Sequence, residues 1–255
     1  MPLTRFLAIS DDRMARPDEH LERQIATYGG EVEKALGPQL LCLAVYGSAA
    51  GSDFFEPHSD VNIAVVVPEV TIDVLEALAP VVMRWEKRRF ATPLLIERNF
   101  LTRARDTFPM ELEDIRRQHR LLAGTDLLTA ITVDDDAVRR QCEKEARARL
   151  LRLRALYLAT AGAPSALERL MLESLRSILI FLRHLLRLRG YEPGSSYRDV
   201  LVKGQEVLGP LPLMARLLDH REGRTRLVPR ALRLEFREYL GEVERIVEAL
   251  DTLHE

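Results

Sequence analysis

Apolar positions recur along this chain in two rhythms. From residue 17 to 36, Leu21, Ile25, Val32 and Leu36 fall on one face of a helix, with a break or bend expected at Gly29-Gly30. Gly37-Pro38 should end that helix. Residues 40–46 form a short apolar run between turn residues, the mark of a buried strand. Residues 59–68 alternate instead, with Val61, Ile63, Val65 and Val67 on one face of a second strand. A helix over 71–89 and a third strand over 92–96 complete a small α/β layer built on a mixed sheet.

Past residue 130 only the helical rhythm remains. Val138, Cys142, Leu150, Leu153 and Leu156 share one face of a helix that can start at Asp134, Asp135 or Asp136. Ser165 and Glu168 have the spacing of a capping box. Behind them Leu167, Met171, Leu175, Ile178, Leu182 and Leu185 run to a stop at Gly190. Pro229 opens a last helix carrying Leu232, Phe236, Leu240, Val243, Val247 and Leu250. Two shorter helices between them are broken at Gly209-Pro210 and near Gly223. Amphipathic helices joined this way imply an antiparallel bundle. The expected division is a leader over 1–16, an α/β domain over 17–130 and an all-α bundle over 131–255.

Composition narrows the class. The chain has 255 residues, 47% hydrophobic, with a formal net charge of −2, so a global attraction to nucleic acid or an anionic surface is absent. Its two cysteines, Cys42 and Cys142, form no metal-binding or disulfide pattern. No apolar run approaches the roughly 20 residues of a membrane helix. A cytoplasmic protein is the expectation, without membrane partners, without nucleic acid, and with a homodimer left open.

The segment that carries chemistry is Tyr46, Gly47, Ser48, Ala49, Ala50 and Gly51, followed by Ser59, Asp60, Val61, Asn62 and Ile63. A strand runs straight into Gly-Ser, and a second strand opens with an acid twelve residues after Ser48. Gly47 has no Cβ, so a phosphate can approach its backbone. Backbone amides at the start of a following helix would favour anions. The Ser48 hydroxyl adds a donor, and Asp60 could hold a magnesium ion that neutralises the same phosphates.

This pattern resembles the nucleotidyltransferase superfamily, which includes aminoglycoside nucleotidyltransferases and small antitoxin-type enzymes. The resemblance spans roughly residues 20–125. It implies an α/β (α+β) nucleotidyltransferase-type domain followed by a helical bundle, and transfer of a nucleoside monophosphate from an NTP to an acceptor hydroxyl. Carried over by position, Gly47 and Ser48 are the nucleotide-binding pair and Asp60 is the first metal-binding and catalytic acid. Asn62 stands where the second metal-binding acid belongs. The strand over 92–96 has no carboxylate inside it, which leaves Glu97 at its end as the candidate third catalytic acid, with Glu111, Glu113 and Asp114 as weaker ones. A neutral asparagine oxygen in place of a carboxylate means magnesium would be held weakly, together with the NTP.

Two functions follow. One is a nucleotidyltransferase acting on an unknown acceptor, a small molecule or a protein, with the bundle closing one side of the cleft. The other is a catalytically degenerate relative that binds nucleotide or a protein partner. Asn62 and the acid-free strand favour the second. An antitoxin-like role, in which the domain modifies a helical toxin, is a third; the helical half carries no evident Arg-to-His ribonuclease motif, against a self-contained toxin fusion. Asp53 and Glu56 read as solvated loop acids, and His58 as a loop histidine without a partner in view. The arginines at 139, 140, 147, 149, 152 and 154, and at 176, 183, 187 and 189, could face a nucleotide tail, an RNA or an acidic partner, but read rather as solvated helix faces paired with neighbouring glutamates.

Overall fold

The computed structural model describes residues 19–51, 60–103 and 106–254. The expected leader, and Asp53, Glu56 and His58, lie outside them. Helix α1 spans Glu19–Leu36, followed by a 3-10 turn and strand β1, Cys42–Tyr46. A second 3-10 turn, Gly47–Ala50, leaves β1. Strand β2 is Asn62–Val67, helix α2 is Ile72–Trp85 and strand β3 is Leu94–Glu97. Helices α3, Phe100–Arg103, and α4, Pro109–Arg117, lead to strand β4, His119–Gly124.

The sheet runs β3-β2-β1-β4. Strand β1 is antiparallel to both neighbours, whereas β2 and β3 are parallel. The sheet is therefore mixed, as the sequence leads one to expect. Strand β4 is an addition, for HRLLAG at an exposed edge shows no clean alternation of apolar and polar positions. On one face α1 and α2 pack over Leu43, Val45, Ile63 and Val65, with Tyr28, Trp85 and Phe90 in mutual ring contact. On the other face lie Cys42, Ala44, Ala64 and Val66, covered by α4 and by Leu128 and Ile131. Burial on both sides explains why β1 reads as an unbroken apolar run.

Helix α1 continues through Gly29-Gly30 without a break. Its Gly29 lies where a Cβ would sit 3.6 Å from the Leu43 side chain, an ordinary packing distance. Helix α2 starts at Thr71, whose hydroxyl accepts from the Val74 amide at 3.4 Å.

Helix α5, Asp135–Thr160, is capped by the Asp134 side chain. Helix α6, Pro164–Leu188, carries the bundle's core from Leu167 through Leu186. It begins one residue before Ser165, with Pro164 in its first turn and no side-chain cap, so the expected capping box at Ser165 does not form. The box occurs instead at α7, Tyr197–Leu208. There Ser196 Oγ accepts from the Asp199 amide at 3.0 Å, while Asp199 accepts from the Ser196 amide at 3.2 Å. Helices α8, Pro212–Arg221, and α9, Leu232–Asp251, close the bundle around α6. Among the described residues, no helix is long and apolar enough to cross a membrane.

Candidate functional site

The end of β1 fixes the centre of the site. Tyr46 pairs with Asn62 across the antiparallel ladder, so the chain leaves β1 beside the start of β2. Gly47 then turns with φ +71°, a left-handed backbone that glycine adopts without strain. A Cβ built there would lie 3.4 Å from Asn62 Nδ2, so the Asn62 amide faces the turn. The Gly47 amide donates to the Gln118 carbonyl at 3.1 Å, which anchors the turn to the end of α4. The turn that follows is a four-residue 3-10 segment rather than the start of a long helix, so the anion-binding helix end expected from the sequence is not formed.

Tyr46, Gly47, Ser48 and Asn62 line a cavity of about 430 Å³ between the sheet and the helical layer. Ser48 is 7% exposed, and its hydroxyl has no hydrogen-bond partner among the described residues. A buried hydroxyl left unpaired is costly unless something else satisfies it.

The far wall comes from α6 and α7. Arg176 and Arg183, seven positions apart on α6, both line the cavity with Tyr197 of α7. The Arg176 Nε donates to the Tyr197 hydroxyl at 3.1 Å, and the Arg183 guanidinium lies 5.2 Å from the centre of the Tyr197 ring. Tyr197 is held by the capping box at its helix start and by Gly194, at φ +80°, where a Cβ would come within 2.6 Å of Asp199 Cβ. Burial pushes the Tyr46 hydroxyl up, Arg176 acts against that rise and Glu111 adds to it. Arg176 and Tyr46 line the same cavity.

The structure does not gather the candidate acids as it gathers the turn. Asp60 lies two residues before β2 begins, is exposed and does not line the cavity. Glu97 pairs with Val67, at the opposite end of β2 from Asn62. Five residues of strand separate those ends, roughly 16 Å. At its cavity end β3 presents Leu94. Glu113 is bonded to Arg116 at 2.8 Å and also to Arg117. Asp114 lines the cavity but is paired with Arg187 at 2.9 Å and faces His184 at 3.5 Å. Glu111 accepts from Gln141 at 3.0 Å. Among the described residues, no group of three His, Cys, Asp or Glu side chains is placed to hold a metal ion. One exposed carboxylate beside a carboxamide does not fit a two-metal centre, which needs clustered carboxylates.

The basic residues of α6 correct another expectation. Arg183 is 5% exposed and the Arg187 side chain 11%, so neither is a solvated charge. The sequence places both on a solvated helix face in preference to a nucleotide-facing one, and does not single out Tyr197. Their signal was faint: Arg176, Arg183 and Arg187 interrupt the apolar face of α6 at helical spacing. On α5 the plain reading fits Arg147, whose side chain is 54% exposed and paired to Glu143, whereas the Arg139 side chain is 13% exposed between Asp136 and Glu143.

Comparison with solved structures bears on the fold. A crystal structure of spectinomycin adenyltransferase AAD(9) from Enterococcus faecialis, with ATP and spectinomycin, aligns with a TM-score of 0.53. The alignment covers 87% of this chain and 99% of that one, at 14% sequence identity. The chain has the nucleotidyltransferase fold. No protein-family model matches it, and no curated protein is similar to it in sequence. Within this fold the Gly47 turn and Asn62 lie at adjoining strand ends, and the helical layer supplies the arginine wall opposite.

Proposed function

We propose that this protein binds a nucleoside triphosphate in the cavity between the Gly47 turn and α6, and that it is a catalytically degenerate nucleotidyltransferase. The observation that carries the reading is the buried Ser48 hydroxyl beside Gly47 and Asn62, which has no partner among the described residues. A phosphate oxygen would satisfy that donor, and Arg176 would supply charge from the opposite wall. Tyr46 and Tyr197 give the apolar faces a base or ribose needs. In this reading the division near residue 130 separates the part that carries the turn from the bundle that closes the cavity. Any magnesium carried in by the nucleotide would meet one exposed carboxylate, Asp60, and the neutral Asn62 side chain, so it would be held weakly.

The loss of transfer activity rests on the acids. Asn62 supplies no negative charge, Glu97 lies about five strand residues away, and the two carboxylates of the lining are engaged, Asp114 by Arg187 and Glu111 by Gln141. Among the described residues no free carboxylate of the lining is left to activate an acceptor hydroxyl.

A second reading keeps catalysis, with a small-molecule acceptor in the remaining volume. It is favoured by the likeness to an adenyltransferase whose structure contains ATP and spectinomycin. One experiment separates the two. Titrate each NTP with magnesium by calorimetry, and follow pyrophosphate release with candidate acceptors. Binding without release supports the degenerate reading, and release by the wild type supports the second. Absence of binding at millimolar nucleotide defeats both.

A further inference from the structure

The donors around the cavity form a pattern of their own. Ser48 offers a hydroxyl, Asn62 a carboxamide whose nitrogen faces Gly47, and Arg176 a guanidinium. All three line one cavity, and all three can donate hydrogen bonds. The carboxylates of the same lining are already engaged: Asp114 is paired with Arg187 and Glu111 accepts from Gln141, while Asp60 is exposed outside the lining. A site that recruits a divalent cation gathers acids around it, whereas a site that neutralises phosphate directly gathers donors and guanidinium groups.

Ser48 is more than nine-tenths buried, its hydroxyl is unsatisfied among the described residues, and the residue lines the same cavity as Arg176. Arg176 is placed for this purpose. Its Nε is bonded to a neutral tyrosine hydroxyl rather than to a carboxylate, so its charge is not cancelled by that partner. The Tyr197 contact fixes the guanidinium while leaving its terminal nitrogens for a ligand.

We propose that this site binds nucleotide polyphosphate without a divalent cation, with Arg176, Ser48 and the Asn62 amide in place of the metal. The proposal rests on the nucleotide-binding reading above. It also gives Asn62 a role: a carboxylate at that position would repel the phosphates unless a metal lay between them, whereas an amide donates to them.

The test is calorimetry of ATP against the full chain in excess EDTA and again in magnesium. The expected dissociation constants agree within about threefold. In EDTA, Arg176→Gln, which keeps a donor for Tyr197, should weaken ATP binding by at least tenfold, and Arg176→Lys by less. Asn62→Asp should abolish binding in EDTA and regain it in magnesium. Circular dichroism and the melting temperature establish that each variant is folded. Binding by the wild type in magnesium but not in EDTA overturns the metal-free proposal and leaves the nucleotide reading standing. No binding in either buffer overturns both. Unchanged binding by a folded Arg176→Gln protein in EDTA also overturns the proposal.

Discussion

Asp114 on α4 accepts a hydrogen bond from the Arg187 guanidinium on α6 at 2.9 Å, and this contact ties the cover of the sheet to the bundle. Both side chains are mostly buried. Removing one partner leaves the other charge buried and alone, which costs about 3 kcal/mol. Asp114→Ala should therefore lower unfolding stability by about that amount in urea titrations.

The same pair sets a pH dependence. Burial alone would raise the Asp114 pKa, but His184, Arg183 and Arg187 outweigh it and hold the carboxyl far below its ordinary value. An acid with a lowered folded-state pKa contributes stability that is complete above its unfolded pKa, about 3.9. That contribution is lost as the pH falls from there through the folded value. The stability gap between wild type and Asp114→Ala should be full at pH 6 and shrink steadily below about pH 4.

Glu242 on α9 gives the opposite sign. Its carboxylate accepts from the Leu213 and Met214 amides at 2.8 and 2.9 Å, capping the start of α8. Burial raises its pKa, and the two amide bonds only partly oppose the rise. Its contribution is complete below the unfolded pKa and declines as pH rises through the raised one. Glu242→Ala should lose about 2 kcal/mol. The loss should be larger at pH 5 than at pH 8, with nucleotide binding unchanged at either pH.

Gly47→Ala tests the turn. The substitution places a Cβ at φ +71° and 3.4 Å from Asn62 Nδ2. Left-handed backbone costs a non-glycine residue roughly 1–2 kcal/mol. The variant should stay folded with a lowered melting temperature, and ATP binding should fall at least tenfold by calorimetry.

The arginine wall should be sensitive at a distance. Gly194→Ala brings a Cβ to within 2.6 Å of Asp199 Cβ at φ +80°, disrupting the cap that positions Tyr197. ATP affinity should drop although residue 194 does not line the cavity. Tyr197→Phe should reproduce part of that drop, because it removes the hydroxyl that accepts from Arg176.

Much of this fold was legible because its elements obey simple periods. The Cys42–Tyr46 and Asn62–Val67 strands and the long helices follow apolar rhythms that burial requires. Strand β4 was not legible, since an exposed edge strand need not alternate. The Gly47 turn and Asn62 could be read from order and spacing because ladder pairing joins Tyr46 to Asn62. The arginine wall could not be read that way. Arg176, Arg183 and Tyr197 stand more than a hundred residues from the turn, and only tertiary packing brings them to it. Glu97 shows the converse, a nearby acid in sequence that parallel strand register carries to the wrong end of the sheet.

The most direct measurement is a crystal structure of the protein with a non-hydrolysable ATP analogue. The account predicts phosphate oxygens within hydrogen-bond distance of Ser48 Oγ and of the Arg176 guanidinium. An analogue bound elsewhere on the molecule, with the Ser48 hydroxyl still unpartnered, would contradict it.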